Sequence, residues 1–269
     1  MTKPKVAVYK FSSCDGCQLS ILNMEDELLE LAGAVEIAFF LEATRRVLPG
    51  PYDIGLVEGS ISTPHEAERI REIRQKVRFL ISLGTCATAG GIQALRNFAQ
   101  VEHLASIVYE HPEYMHVLET STPISEHVKV DLELWGCPVN KYQVLECVSA
   151  LLQNRTPSLP THSVCLDCKR RGTVCVLVAN GILCLGPATR TGCGALCPAS
   201  GRGCYGCFGP ASGAEHTTTA RLLQSKEHYP GEAVRLMRNI SGYAPQFREA
   251  VNAIAGNSEY KTTLEGGSR

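Results

Sequence analysis

Lys5-Val-Ala-Val-Tyr-Lys-Phe-Ser-Ser-Cys-Asp-Gly-Cys17 sets the fold. Residues 4–11 read as a short buried strand rich in Val and Tyr, and Ser12–Cys17 as a glycine-bearing turn that leads into a helix. The same phrase recurs down the chain. Strands are expected at Val35–Leu41, at Asp53–Val57 before Glu58-Gly-Ser60, at Val77–Leu83 before Gly84-Thr-Cys86, and at Val128–Leu134 before Trp135-Gly-Cys-Pro138. Between them the periodicity predicts a helix from about Leu19 to Ala32, with Ile21, Met24, Leu28 and Leu31 as its apolar stripe and Gly33 as its stop. Further helices are expected from Pro64 to about Lys76, from Ile92 onward, and from Lys141 to Gln153. Strand alternating with helix predicts an α/β fold, a doubly wound parallel sheet.

The chain has 269 residues and 13 cysteines, with 26 basic and 27 acidic side chains for a net charge of −1. That balance leaves no electrostatic footprint for nucleic acid. An apolar share of 44% excludes wholesale disorder, and no apolar run is long enough to span a bilayer. Met1–Lys10 reads as a strand rather than a signal peptide, so a cytoplasmic location is expected. Dense cysteine in a reducing compartment indicates metal or redox chemistry rather than structural disulfides.

Cys14 and Cys17 follow the first strand, Cys86 the fourth and Cys137 the fifth. All four are therefore expected at the carboxyl edge of the sheet, where open α/β proteins bind ligands. Gly16, Gly84 and Gly136 beside them allow tight turns, and Pro138 stiffens the last loop. Cys147, inside the apolar helix, reads as a core residue.

The other eight cysteines, Cys165, Cys168, Cys175, Cys184, Cys193, Cys197, Cys204 and Cys207, crowd into 43 residues. Thr156-Pro-Ser-Leu-Pro160 reads as a linker. The sequence thus divides into a sheet domain over 1–155, a second module with C-terminal helices over 160–255, and a tail over 256–269 expected to fray. Residues 161–210 show little apolar periodicity, so no hydrophobic core of their own is expected. Two successive four-thiolate sets fit the spacing, Cys165–Cys184 and Cys193–Cys207. By count alone, zinc and [4Fe–4S] suit them equally. A zinc-ribbon pairing of Cys165 and Cys168 with Cys204 and Cys207 leaves four cysteines unexplained. The Cys197-Pro198 pair and the sheet-edge set favour iron–sulfur. Lys169, Arg170, Arg171, Arg190 and Arg202 would raise the reduction potential of clusters held nearby.

Ser12–Cys17, Val57-Glu-Gly-Ser60, Gly84-Thr-Cys86 and Gly136-Cys-Pro138, in this order, resemble the small subunit of nickel–iron hydrogenases. Val164–Cys168, Cys184-Leu-Gly-Pro187, Gly192–Pro198 and Gly203–Cys207 look like the delta subunit of cytoplasmic NAD(P)-linked sulfhydrogenases. The resemblance runs from about residue 4 to residue 210. It implies a flavodoxin-like domain followed by a small irregular iron–sulfur module with few helices. A proximal [4Fe–4S] cluster would use Cys14, Cys17, Cys86 and Cys137. A distal cluster would use Cys165, Cys168, Cys175 and Cys184, and a medial one Cys193, Cys197, Cys204 and Cys207. Respiratory relatives supply a histidine to the distal cluster, which makes His162 the minor alternative ligand here. Glu58 matches a segment that faces the proximal site, where it would tune the cluster or relay protons, although an ordinary strand-end carboxylate fits equally. Val139 stands where the family usually has a second proline.

No catalytic residue is expected on this chain and no G-x-G-x-x-G fingerprint occurs. The nickel–iron centre, FAD and NAD(P) would sit on partners: a large subunit, flavin- and NAD(P)-binding subunits and ferredoxin-like subunits. The partner's approach implies an apolar surface near Cys14 and Glu58. Three other readings remain: a hydrogenase subunit serving heterodisulfide reductase, the cluster-bearing subunit of complex-I-type quinone oxidoreductases, and a zinc-stabilised scaffold. The complex-I-type family carries an adjacent cysteine pair at the proximal site and lacks the eight-cysteine module.

Overall fold

The computed structural model describes residues 3–255; the tail expected to fray, 256–269, lies outside them. Five strands, β1 (Lys5–Lys10), β2 (Glu36–Phe40), β3 (Tyr52–Glu58), β4 (Val77–Leu83) and β5 (Leu132–Leu134), form one sheet in the order β2-β1-β3-β4-β5. All four pairings are parallel. This is the flavodoxin-like doubly wound order, whose switch point lies between β1 and β3. The expected fold class is therefore the observed one.

The expected helix from Leu19 to Ala32 is two, α1 (Gly16–Leu22) and α2 (Asp26–Ala34). Met24, fully buried, sits in the turn between them, and Glu25 takes a φ of 54° that interrupts the helical backbone. Gly33 does not stop the helix. It lies inside α2, where a straight helical backbone asks nothing special of it.

Helix α3 (Pro64–Lys76) starts on a capping box. Thr63 Oγ1 accepts from the Glu66 N–H, and the Glu66 carboxylate accepts from the Thr63 N–H. Helix α4 (Gly84–Ala89), which periodicity did not announce, leaves β4 directly. The helix expected from Ile92 begins as a 3-10 stretch over Ile92–Phe98 and resumes as α5 (Val101–Val108). Strand β5 is shorter than its expected 128–134. The Leu80 N–H donates to the Asp131 carboxylate at 2.8 Å rather than to a backbone carbonyl, which ends the ladder. Helix α6 (Lys141–Leu152) is capped by the Asn140 side chain on the Tyr142 N–H.

Alternating strand residues feed two cores, one on each sheet face. Val8, Phe40, Ile54, Leu56, Ile81 and Leu83 meet α1 and α6 on one side; Ala7, Tyr9, Val57 and Leu80 meet Ile70 and Ile73 of α3 on the other. The second half holds α7 (Val164–Arg170), α8 (Val176–Asn180), α9 (Leu196–Ala199), α10 (His216–Gln224), α11 (Glu232–Met237) and α12 (Pro245–Ile254). The cysteine-rich stretch shares a hydrophobic core with elements outside it. Val164, Val176, Leu177, Leu183 and Leu185 pack with Leu223, Met237, Phe247 and Val251 from the C-terminal helices, and Trp135 and Ala89 join from the sheet side. The apolar residues are too scattered in sequence to show a period, but they converge because α10–α12 supply the facing side.

Candidate metal centres

The carboxyl ends of β1, β4 and β5 carry the first set of thiols, and that of β3 carries Glu58. Cys14 and Cys17 lie at the start of α1, Cys86 in the first turn of α4, and Cys137 beyond β5. Burial pushes the Cys86 thiol up to about 12, and its neighbours Cys137, Cys14 and Glu58 add to the rise. Burial also raises Cys17, with Glu58, Cys86 and Cys137 adding to it, and raises Cys137, with Cys14 and Glu58 adding to it. Each sulfur thus lies within electrostatic reach of others in the set, although the sequence separates them by more than a hundred residues.

The backbone around them leaves room for little else. A Cβ on Gly84 would collide with Cys17 Sγ, and one on Gly91 would come within 2.5 Å of Cys86 Sγ. Gln93 Nε2 donates to the Ser12 carbonyl at 2.7 Å, tying the β1 loop to the segment after Cys86. Glu58 is buried and accepts from the Cys17 and Gln18 N–H groups at 3.1 Å each. Its carboxyl is held above the usual range by burial, against the pull of those donors.

The second set gathers around α7 and α8. Burial raises Cys165 to about 11, with Cys184, Cys168 and Cys175 adding to it, while Lys169 opposes. Cys168 rises for the same reason and feels Cys184, Cys175 and Asp167. A Cβ on Gly186 would lie 3.3 Å from Cys184 Sγ and 3.5 Å from Cys165 Sγ. His162 is turned to Asp167: its Nε2 lies 3.2 Å from Oδ1, and the other carboxylate oxygen accepts from Thr191.

The third set lies between the other two. Burial raises Cys207 to about 12, and the thiols acting on it are Cys193, Cys137 and Cys197, one of them from the sheet edge. Burial also raises Cys204 and Cys197, and each feels Cys184 of the second set. The Cys204 N–H donates to Cys184 Sγ at 3.2 Å. Arg171 Nη1 donates to the Gly194 carbonyl at 2.6 Å, and Arg202 opposes the rise at Cys197. Arg190 lies over Trp135, 5.7 Å from the ring, with its pKa lowered by burial.

All thirteen cysteines are free thiols. Twelve make up the three expected sets, and Cys147 is fully buried in the sheet core. Among the described residues, no three His, Cys, Asp or Glu donors are drawn together as they would be around a single ion. The donor chemistry fits iron–sulfur clusters: four thiols per set, N–H groups aimed at sulfur, and glycines where a side chain would fill the cradle. Sequence reading missed Thr85, Gln93 and Phe208. Thr85 lay inside the Gly84-Thr-Cys86 motif, whereas nothing local marks Gln93. Phe208 fills the space that a Cβ on Gly192 would need. Leu19, two residues after Cys17, and Ile92, in the segment after Cys86, are about half exposed.

Residues 14–151 match the family described as NADH ubiquinone oxidoreductase, 20 Kd subunit. Sulfhydrogenase 2 subunit delta of Pyrococcus furiosus is 36% identical over 207 residues, covering 77% of this chain and 86% of that protein. A subunit of the F420-non-reducing hydrogenase vhu of Methanocaldococcus jannaschii is 36% identical over 234 residues, covering 76% of this chain and 81% of its own length. A chain of an NAD+-reducing [NiFe]-hydrogenase in its H2-reduced state superposes with a TM-score of 0.54 at 31% identity, covering 59% of this chain and 96% of that one. An actinobacterial-type NiFe-hydrogenase from Ralstonia eutropha H16 covers 98% of this chain and 89% of its own with a TM-score of 0.58, and at 17% identity it shares the fold. The chain belongs to the NADH ubiquinone oxidoreductase 20 Kd subunit family and, within it, to the electron-transferring small subunits of hydrogenases.

Proposed function

We propose that this chain carries three [4Fe–4S] clusters, on Cys14, Cys17, Cys86 and Cys137, on Cys193, Cys197, Cys204 and Cys207, and on Cys165, Cys168, Cys175 and Cys184. They would connect a nickel–iron centre on a large partner subunit with a flavin- and NAD(P)-binding partner, in either direction. The observation that carries this reading is the serial arrangement of the thiols. Cys137 of the first set acts on Cys207 of the third, and Cys204 of the third donates to Cys184 of the second. Such clusters supply one-electron storage, and the protein supplies their order, their burial and the N–H groups and cations that tune them.

The large subunit would dock where Leu19 and Ile92 stand exposed. Glu58 has both oxygens on backbone N–H groups, which favours a positioning role over a proton relay. His162 has its Nε2 on Asp167, which favours Cys165 over His162 as ligand. The division into 1–155 and 160–255 and a cytoplasmic location belong to the same reading. Among the described residues no helix is long and apolar enough to cross a membrane.

A second reading keeps the chain and changes the acceptor. The likeness to the F420-non-reducing hydrogenase favours an enzyme serving heterodisulfide reductase, in which the other partner differs. The deciding experiment is metal and acid-labile sulfide analysis of the anaerobically purified complex. The expected result is about twelve iron and twelve sulfide per chain, with nickel on a co-purifying subunit. Zinc at about two per chain without sulfide would overturn the reading, and the identity of the co-purifying redox subunit decides the acceptor.

A further inference from the structure

Neighbouring cysteine sets meet through the backbone at two places. At one, the Cys204 N–H donates to Cys184 Sγ at 3.2 Å, while the Leu185 N–H donates to the Cys204 carbonyl at 3.0 Å. Gly203 permits this approach, since a Cβ there would strike the Leu183 carbonyl. At the other, the Thr85 hydroxyl and amide hold the Cys207 and Gly136 carbonyls together, and the Cys137 backbone amide opposes the rise of the Cys207 thiol. In each case the amide belongs to one set and the sulfur to the next.

The second contact is held by a residue that ligates nothing. Thr85 is buried next to Cys86. Its N–H donates to the Gly136 carbonyl at 2.8 Å, and its hydroxyl donates to the Cys207 carbonyl at 2.6 Å, across 122 residues of sequence. The Gly136 carbonyl it holds and the Cys137 amide are the two ends of a single peptide, Gly136–Cys137. One side chain and its own amide thus grip both partners of the crossing.

We infer that Thr85 is a positioning residue for electron exchange between the first and third cysteine sets, fixing the Gly136–Cys137 peptide against Cys207. The inference rests on the three-cluster reading above. One electron crosses, no bond forms or breaks, and both ligand sets stay intact. N–H donation to a cluster sulfur stabilises the more negative, reduced state and raises the potential. Losing the grip on Cys207 therefore lowers the potential of the cluster held there and weakens its magnetic coupling to the first.

The test compares the purified complex carrying Thr85→Val with wild type and with Thr85→Ser, by EPR-monitored redox titration. Thr85→Val is expected to shift the Cys193–Cys207 cluster to lower potential and to lose its spin–spin splitting with the first cluster. The splitting across the Cys204–Cys184 contact should stay unchanged, and Thr85→Ser should restore both quantities. Wild-type values in Thr85→Val, equal changes at both contacts, or no rescue by serine would overturn the inference. If Thr85→Val loses iron, Thr85→Ala, which removes the hydroxyl without adding a methyl group, decides. A lower potential of its Cys193–Cys207 cluster supports the crossing, and a wild-type potential overturns it. A wild type without three cluster signals refutes the functional reading instead.

Discussion

Glu58 closes β3 and also the first turn of α1: Oε1 accepts from the Cys17 N–H and Oε2 from the Gln18 N–H, each at 3.1 Å. A strand-end carboxylate thus serves as the N-terminal cap that α1 lacks, because Asp15 at the cap position makes no side-chain bond to the helix. The arrangement gives a buried carboxyl two amides at a helix start that have no acceptor within the helix. Cys17 is thereby fixed from β3, across the switch point of the sheet.

Replacing Glu58 with Ala leaves two buried N–H groups without an acceptor, at about 1–3 kcal/mol each. Glu58→Ala should lower the thermal midpoint and remove about four of about twelve irons per chain. Glu58→Gln retains one acceptor oxygen and should fall between the two. Iron analysis with a melting curve checks this, and full iron in Glu58→Ala would sink the positioning role.

Gly84 supplies a second test at the same edge. Its φ is +83°, and a Cβ there would run into Cys17 Sγ. Gly84→Ala therefore combines backbone strain of about 1 kcal/mol or more with a clash that moves a sulfur. The expected loss is confined to the first cluster, leaving about eight irons per chain. Gly33→Ala, inside α2 with nothing near its Cβ position, should be neutral or slightly stabilising.

The sheet was legible because its strands are short, β-branched and closed by glycine-bearing turns. The location of Cys14, Cys17, Cys86 and Cys137 followed from that topology alone. The break at Glu25 and the short β5 were not legible, since each depends on a tertiary partner: the buried place of Met24 and the Asp131–Leu80 hydrogen bond. Thr85 stood in plain view between Gly84 and Cys86. Its role needs Cys207, far away in sequence, and no local pattern encodes such a pairing.

The segment after α6 is pinned by charge. The Glu146 carboxylate takes both Arg155 guanidinium nitrogens, at 2.6 and 2.8 Å, and the Ser158 N–H at 2.8 Å. Hydrogen bonding to Arg155 first, then to Ser158, lowers the Glu146 pKa from 4.5 to about 2. A depressed folded-state value means the tether is fully present above the ordinary carboxylate range and is lost as the pH falls from 4.5 through about 2. Limited proteolysis within residues 155–160 should therefore be slow near neutral pH and accelerate over that acid window. Arg155→Ala should be cleaved quickly at both pH values. Equal cleavage of wild type and variant at neutral pH would mean the tether holds nothing.

Cys147 separates thiols that bind from thiols that fill space. Its side chain is fully buried in the core formed by Val144, Val148, Ile54 and Leu83, and its own burial raises its pKa to about 12. Glu146 adds to that rise, and no other cysteine contributes. Cys86 rises to the same value, but Cys137 and Cys14 contribute to the shift there. The shared value therefore hides two environments. Cys147→Ala removes one buried sulfur from an apolar cluster and should lower stability while leaving iron and sulfide unchanged. Cys86→Ala should cost about four irons and the EPR signal of the first cluster. Iron lost on Cys147→Ala would require a thirteenth ligand and a different partition of the twelve, which equal iron in the two variants would also demand.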